Sequence, residues 1–154
     1  MEENLYRLRL ADESDMDFYY EIYQQEDVRE NSFNYNKITL EEHRKWFVLK
    51  LSSELYEFYV CEYKNQKSGL LRIELTYEKD MSYGLISFSV KSEFQGKGIG
   101  TFILKKASDL YSLRKLELHG EVKKENISSH RAFIKAGYSI FEESIDKIVY
   151  RTNI

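Results

Sequence analysis

The chain has 154 residues, of which 42% are hydrophobic and 32% charged, and its formal net charge is −3. These values are typical of one globular domain, and they exclude the strongly basic surface of a nucleic-acid-binding or polybasic membrane-binding protein. The single cysteine excludes an internal disulfide, no apolar run approaches the roughly 20 residues that span a bilayer, and the N-terminus lacks a signal-peptide pattern. We therefore expect a single cytoplasmic domain over residues 1–154, with neither a nucleic-acid nor a membrane partner.

The N-terminal third predicts one strand and two helices. Alternating apolar and polar residues predict a strand over Leu5–Leu10. Ser14 is the predicted N-cap of a helix that ends near Gln24, and a second helix is predicted over Leu40–Lys50. The intervening segment, Gln25–Lys37, is polar and rich in asparagine, and we interpret it as a long loop.

The rest of the chain predicts a meander of three strands and then alternating helices and strands. The meander strands are expected at Tyr56–Tyr63, Leu70–Tyr77 and Tyr83–Val90. The later elements are a helix opening at Ile99, a strand over Lys115–Val122, a helix over Asn126–Ala136, and strands over Tyr138–Phe141 and Lys147–Arg151. The order β-αα-βββ-α-β-α-ββ predicts an α/β (α+β) domain with four helices around a mixed, mostly antiparallel sheet of about seven strands. Cys61 falls within the meander and is predicted to be buried and unreactive.

A glycine-rich segment, Gln95–Gly100, lies between a predicted strand and a predicted helix and reads Gln-Gly-Lys-Gly-Ile-Gly. Glycines let the backbone approach an anion, and the positive end of the following helix attracts it, so the segment predicts a phosphate cradle. A flexible glycine turn is the alternative. The Lys97 side chain either adds charge to the cradle or lies in solvent. The glycine spacing differs from a Walker loop and from a dinucleotide fingerprint.

Two motifs make the chain similar to the GNAT superfamily of acyl-CoA-dependent N-acetyltransferases. Gln95, Gly98 and Gly100 fill the family's pyrophosphate-loop pattern, Gln/Arg-x-x-Gly-x-Gly/Ala. The segment Glu121–Tyr138 is similar to the family block E-V-x-x-x-N-x-x-A/S-x-x-x-Y-x-x-x-G-F. The predicted element order has the glycine loop where the family has it, so the resemblance extends over nearly the whole chain and implies a GNAT-like fold.

The N-terminal third resembles one branch of that family, which holds ribosomal-protein and amino-sugar acetyltransferases. The residues that carry this likeness are Val28-Arg29 and Glu42-His43-x-x-Trp46. The resemblance implies transfer of an acetyl group from acetyl-CoA to a primary amine of a small molecule, with a nucleotide-linked amino sugar favoured. A protein N-terminus, a polyamine, and a non-catalytic acyl-CoA-binding module remain alternatives, and a homodimer is left open.

The resemblance also implies which residues bind the cofactor and act in catalysis. The cofactor set is Phe88, Ser89, Val90, Gln95, Gly96, Lys97, Gly98, Ile99, Gly100, Thr101, Asn126, Ser129 and Phe133. A backbone N–H at Val90 would stabilise charge on the thioester oxygen, and Glu121 would be the general base. Glu74 and His119 are the other candidates for the base. Many family members have a tyrosine at the position of Phe133, and phenylalanine cannot protonate a leaving thiolate.

The acceptor side is implied to lie on the N-terminal helices, their connecting loop (Asn31–Tyr35) and the neighbouring strands. The predicted residues are Asn31, Phe33, His43, Trp46, Glu74 and Tyr83. A core position for Trp46 and a surface position for His43 are the alternatives. Side chains suited to a nucleotide-linked sugar are Arg29, Phe33 and Lys37, and carboxylates suited to a polyamine are Glu26, Asp27 and Glu30. No metal site is predicted.

Overall fold

The fold is seen in a computed structural model, which describes residues 5–33, 37–78 and 80–153. The strands are β1 (Tyr6–Leu10), β2 (Tyr56–Tyr63), β3 (Gln66–Glu78), β4 (Met81–Val90), β5 (Glu117–Lys123), β6 (Ser139–Glu143) and β7 (Lys147–Arg151). The α-helices of the described residues are α1 (Met16–Tyr23), α2 (Glu26–Glu30), α3 (Leu40–Leu51), α4 (Ile99–Ser112) and α5 (Ile127–Lys135). The seven strands form one sheet in the order β1-β2-β3-β4-β5-β7-β6. Only β4 and β5 pair in parallel among the described strands, so the predicted mixed, mostly antiparallel sheet is confirmed.

Each face of the sheet carries its own apolar core, because alternate residues of a strand point to opposite faces. On one face, α1 and α3 bury an aromatic-rich group that includes Tyr19, Phe47 and Phe58. On the other face, α4 and α5 cover a larger core that includes Ile103 and Phe133. The two helical layers therefore lie on opposite sides of the strands that they share.

Two local predictions in the N-terminal third are wrong. Residues 26–30 of the predicted loop form α2, and none of its residues is buried, so it has no apolar stripe by which the sequence could have revealed it. Five α-helices are therefore described where four were expected. The N-cap of α1 is Asp15, not Ser14, and Asp12 forms a capping box with Asp15 around a short 3-10 turn that precedes the helix.

A buried ion network fastens the start of α1 to the sheet. The carboxylate of Asp15 is fully buried and accepts from the Arg9 guanidinium at 2.8 and 2.9 Å and from Lys67 Nζ at 2.7 Å. Burial alone would raise the pKa of Asp15, but the hydrogen bonds from Arg9 and Lys67 outweigh it and hold the pKa well below its usual range. The network therefore fixes the position of the helical layer that contains α1 and α3.

Cys61 lies in β2 and is fully buried, as predicted. Burial raises the pKa of its thiol to about 11, so the thiolate that would react is scarce at neutral pH. Among the helices of the described ranges, none combines the length and the apolar character needed to cross a membrane.

Candidate active site

The strands β4 and β5 begin as a pair and then separate. Their parallel pairing covers only Tyr83–Leu85 of β4 against Glu117–His119 of β5, although β4 continues to Val90 and β5 to Lys123. A cleft of about 940 Å³ opens where the strands part, and both helical layers contribute to its walls. A cleft of this size, reaching between two strands, is suited to an extended ligand.

The glycine loop lies at one end of the cleft and presents its main chain to it. Gly96 and Gly98 have φ of 80° and 77°, a left-handed conformation that favours glycine. Gly98 is the N-cap of α4, and among the described residues no side chain accepts from the N–H groups of the first turn. The first backbone hydrogen bond of this helix runs from Phe102 N–H to Gly98 O at 3.0 Å. The amides of the first helical turn therefore remain free to bind an anion.

Two other contacts shape this loop. The Tyr6 hydroxyl donates to the carbonyl oxygen of Lys97 at 2.7 Å, which ties the loop to β1. Gly100 serves packing, since a Cβ there would lie 2.9 Å from Cε2 of Phe88. Gly100 thus lets α4 approach β4 closely.

The main-chain groups of Val90 face the gap between β4 and β5. Lys91 N–H donates to Ser68 O at 2.8 Å, and successive residues of an antiparallel strand direct their N–H groups to opposite edges. Val90 therefore points its N–H and C=O away from β3. The carbonyl accepts from Nε2 of Gln25 at 3.2 Å and from Nε2 of Gln95 at 3.3 Å, while the N–H remains directed at the cleft.

Gln25 and Asp27 connect the start of α2 to the end of β4 and to the glycine loop. The Gln25 amide donates to Val90 O and accepts from Ser92 N–H at 2.9 Å, so it replaces the missing neighbour strand at the end of β4. Asp27 accepts from the Gln95 side chain at 2.8 Å. Sequence reasoning missed both roles, because a glutamine in a polar segment carries no recognisable pattern.

Most of the residues predicted for the site line this cleft. They are Asn31, Phe33, His43, Trp46, Glu74, Phe88, Ser89, Val90, Gln95, Gly96, Gly98, Ile99, Gly100, Thr101, Glu121, Asn126, Ser129 and Phe133. Lys97 is not among the lining residues, and its side chain is exposed. Tyr83 and His119 also lie elsewhere: their rings stack with centroids 4.2 Å apart, in the part of β4 and β5 that is still paired. Because the strands have not yet separated there, neither side chain reaches the opening.

The carboxylate of Glu121 lies on β5 just beyond the point of separation. Ser87 and Glu121 each lie two residues past the last paired residues, Leu85 and His119, and they share one face of the sheet. Glu121 forms an ion pair with Lys147 Nζ at 3.4 Å, and both side chains are partly open to solvent. The carboxylate can therefore reach a ligand that enters from this face.

Asn126 and Phe133 have structural contacts as well as cleft-facing positions. Asn126 caps α5, its Oδ1 accepting from Ser129 N–H at 3.3 Å. Phe133 is only 2% exposed and stacks on Tyr150 with ring centroids 4.9 Å apart. Its ring is therefore a packed wall of the cleft.

His43 and Trp46 form the aromatic wall opposite. His43 is 1% exposed, so the alternative of a surface histidine is wrong. Its Nε2 lies 2.8 Å from the Met16 carbonyl oxygen, which only accepts, so Nε2 carries the proton and Nδ1 has no partner among the described residues. Burial lowers the pKa of His43 and keeps the ring neutral. Trp46 packs on Phe58 of the apolar core and also faces the cleft.

The chain is thus an α/β domain whose mixed sheet opens into a cleft beside a glycine loop, with a carboxylate at the opening. The family model described as Acetyltransferase (GNAT) domain matches residues 6–139. The chain therefore belongs to the GNAT acetyltransferase family, which confirms the family predicted from sequence. Among curated protein sequences, none matches the chain significantly.

Solved structures share this fold over almost their full length. The spermidine N-acetyltransferase of Vibrio cholerae, with CoA and spermine, is 15% identical, covers 97% of this chain and 95% of its own, and has a TM-score of 0.85. RimL, a ribosomal L7/L12 α-N-protein acetyltransferase with CoA, is 17% identical; the match covers 100% of this chain and 97% of RimL, with a TM-score of 0.82. AAC(6')-Ib, with parmomycin and acetyl-CoA, is 18% identical; the match covers 95% of this chain and 91% of that protein, with a TM-score of 0.79. These three proteins share a fold with this chain and differ from one another in the acceptor that their names state.

Proposed function

We propose that this protein is an N-acetyltransferase that moves the acetyl group of acetyl-CoA to a primary amine of a small molecule. The observation that carries the proposal is the separation of β4 from β5 beside a glycine loop with free amides. Family membership, and the CoA or acetyl-CoA bound in the similar structures, support it.

The residues of the cleft fit this cofactor. The free amides of the loop and of the first turn of α4 suit a pyrophosphate, and the exposed edge of Phe88–Val90 suits the amide-containing pantetheine arm. When bound, acetyl-CoA supplies an acetyl group activated as a thioester. The N–H of Val90, held towards the gap, is placed to donate to an oxygen that gains negative charge. One such donor is worth about 100- to 1,000-fold in rate.

We assign the proton transfer to Glu121. An ammonium acceptor with a pKa near 10 must lose a proton before its nitrogen can attack, and a carboxylate at the cleft can accept that proton directly or through water. Glu121 occupies such a position, and Glu74 also lines the cleft but accepts from the Tyr56 hydroxyl at 3.2 Å. General-base assistance is typically worth about 100- to 10,000-fold.

Phe133 offers no proton to the departing thiol. A thiol with a pKa near 8.5 is a tolerable leaving group as its thiolate, so the reaction needs no protein acid at this position. The same phenylalanine favours a second candidate, a module that binds acyl-CoA without turnover. Retention of Glu121 and of the directed Val90 N–H favours the enzyme.

Within the amine class, we propose a nucleotide-linked amino sugar as the acceptor. Arg29, Phe33 and Lys37, the side chains suited to such a ligand, all line the cleft. Of the carboxylates suited to a polyamine, Glu26 and Glu30 are not among the lining residues and Asp27 is engaged by Gln95. A protein N-terminus remains the alternative acceptor. A homodimer and a cytoplasmic location also remain proposals.

The test measures release of free CoA thiol from acetyl-CoA with a panel of amines. We expect turnover with at least one amine and a loss of about 100-fold or more in kcat for Glu121→Gln. Glu125→Gln is the matched control, since this exposed carboxylate is not a lining residue of the cleft. Binding of acetyl-CoA without turnover across the panel would favour the binding module. Unchanged kcat and an unchanged pH profile in Glu121→Gln would remove Glu121 as the base.

A further inference from the structure

We propose that the acceptor carries an anionic oxygen group, a carboxylate or a phosphate, near its amine, and that Arg72 binds this group. The inference rests on the proposed acetyltransferase function and deepens it by naming a chemical requirement of the acceptor. No sequence motif indicated Arg72, because a charged residue in an alternating strand usually faces solvent.

The register of the sheet brings Arg72 to the reaction side of the cleft. Arg72 of β3 pairs with Ser87 of β4, and Ser87 lies as far beyond the last paired residues as Glu121 does on β5. The three residues therefore form a row across one face of the sheet, with neighbouring strands about 4.8 Å apart where they are paired. A small acceptor beside Glu121 lies within reach of a long side chain that starts two strands away.

The guanidinium of Arg72 has few partners in the protein. It donates to the Tyr23 hydroxyl at 3.3 Å, and its Cζ lies 5.7 Å from the centroid of the Trp46 ring. Among the described residues, no carboxylate lies within 4.0 Å of it. By contrast, Arg9 pairs with Asp15 at 2.8 Å and Arg114 pairs with Glu57 at 2.8 Å. A guanidinium offers five N–H donors, so Arg72 keeps most of its binding capacity for a ligand.

The chemistry of this side chain selects an oxyanion. A guanidinium binds carboxylate and phosphate through two parallel hydrogen bonds, and partial burial against Trp46 and Tyr23 strengthens that attraction. Arg72 and Tyr23 both line the cleft. The carboxylate of Glu74 partly offsets the burial of this cation from a distance beyond 4.0 Å, so N–H donors of Arg72 stay available to an anionic ligand.

Nearby charges agree with an acceptor of mixed charge. Glu74 lies two residues further along β3 on the same face and also lines the cleft, so a cation site adjoins the anion site. Arg29 and Lys37 add positive charge to the same walls. An acceptor that has an ammonium and an oxyanion complements both sites, whereas a polyamine would place positive charge against Arg72.

The first experiment compares matched amines in the thiol-release assay. Glucosamine 6-phosphate is paired with glucosamine, and 4-aminobutanoate with butylamine; a UDP-linked amino sugar and spermidine complete the panel. We expect kcat/KM to be at least about 10-fold higher for the anionic member of the better pair, consistent with one charge-assisted contact. The pair with the larger ratio of kcat/KM between its two members indicates whether the site prefers a phosphate or a carboxylate. A higher kcat/KM for spermidine, or for the members of the pairs that lack an oxyanion, would overturn the proposal.

The second experiment tests whether Arg72 is responsible. Arg72→Met keeps an unbranched side chain beside Trp46 and removes the guanidinium, and we expect it to raise KM for the amine with the oxyanion about 10- to 100-fold while kcat changes little. Arg72→Lys retains the charge without the paired N–H donors of a guanidinium, and its KM should lie between those of the wild type and Arg72→Met. Arg44→Met is the control, since Arg44 pairs with Asp17 on an exposed surface.

The outcomes separate this inference from the proposed function. An unchanged Kd for acetyl-CoA shows that Arg72→Met is folded, and the amine of the same pair that lacks the oxyanion should show no increase in KM. An equal rise in KM for both amines in Arg72→Met, or no rise for either, would overturn the role of Arg72 but not the proposed acetyltransferase function. Failure of every amine while acetyl-CoA binds would instead remove the transferase itself.

Discussion

The side of the cleft that we assign to the cofactor is made largely of main-chain groups, whereas the side that we assign to the acceptor is made of side chains. On the first side, the groups that face the cleft are the free amides of the loop and of the first turn of α4, and the edge of β4 at Val90. On the acceptor side, Tyr23, Trp46 and Arg72 provide rings and charge. A main-chain site depends on backbone conformation, and a side-chain site depends on residue identity.

This difference explains how one fold serves several acceptors. A glycine loop that binds pyrophosphate must keep its backbone conformation, so its residues change little without loss of the ligand. Side chains on α1, α2, α3 and β3 can change while the strands stay in place. The similar structures fit this view, because their names state different acceptors on one fold.

The largest expected effect is on the cofactor side, from Gly98→Asp. Gly98 has a φ of 77°, which aspartate and asparagine tolerate better than other residues, so the loop should keep its shape. The new carboxylate would face a bound pyrophosphate, and we expect a loss of about 100-fold or more in acetyl-CoA affinity by calorimetry.

Gly98→Asn is the matched control, because it adds the same bulk without charge. We expect its loss of affinity to be much smaller than that of Gly98→Asp. Similar acetyl-CoA affinities for Gly98→Asp and the wild type would contradict the proposal that the glycine loop binds the cofactor.

An intermediate effect is expected at Gln25, which connects the two sides. Gln25→Ala removes the hydrogen bonds to Val90 O and from Ser92 N–H, so the end of β4 keeps, among the described residues, only the lateral contact from Gln95 to Val90 O. We expect kcat to fall about 10-fold, since one or two hydrogen bonds of this kind are worth about 1 to 2 kcal/mol.

Steady-state kinetics with both substrates separates positioning from binding at Gln25. The KM for the acceptor should stay nearly constant while kcat falls, and Gln24→Ala, the neighbouring glutamine, is the comparison. A rise in acceptor KM with unchanged kcat would mean that Gln25 binds the acceptor and does not act by positioning the end of β4.

The smallest effect is expected from Lys97→Ala. The Lys97 side chain is exposed and does not line the cleft, and only its carbonyl oxygen is used, by the Tyr6 hydroxyl. We expect the Kd for acetyl-CoA to change by less than about 3-fold, as is usual for an exposed charge. A loss of 10-fold or more would mean that a side chain contributes to a site that we describe as main chain.

The sequence predicts the cofactor side better than the acceptor side for the same reason. Glycines at 96 and 98 signal an unusual backbone, and the strands flanking them follow from alternation, so the cleft residues of β4 and the loop were identified. The place where β4 and β5 separate is not encoded in any local pattern, and Tyr83 was therefore assigned to the acceptor site although it lies before that point. Arg72 was missed because its environment depends on strand register.

Amide hydrogen exchange with and without acetyl-CoA tests the central claim most directly. If main-chain amides of the loop and of the first turn of α4 bind the pyrophosphate, exchange across residues 96–101 and at Val90 should slow markedly on addition of the cofactor. Unaltered exchange in both segments at saturating acetyl-CoA, or slowing confined to α1 and α3, would contradict the account.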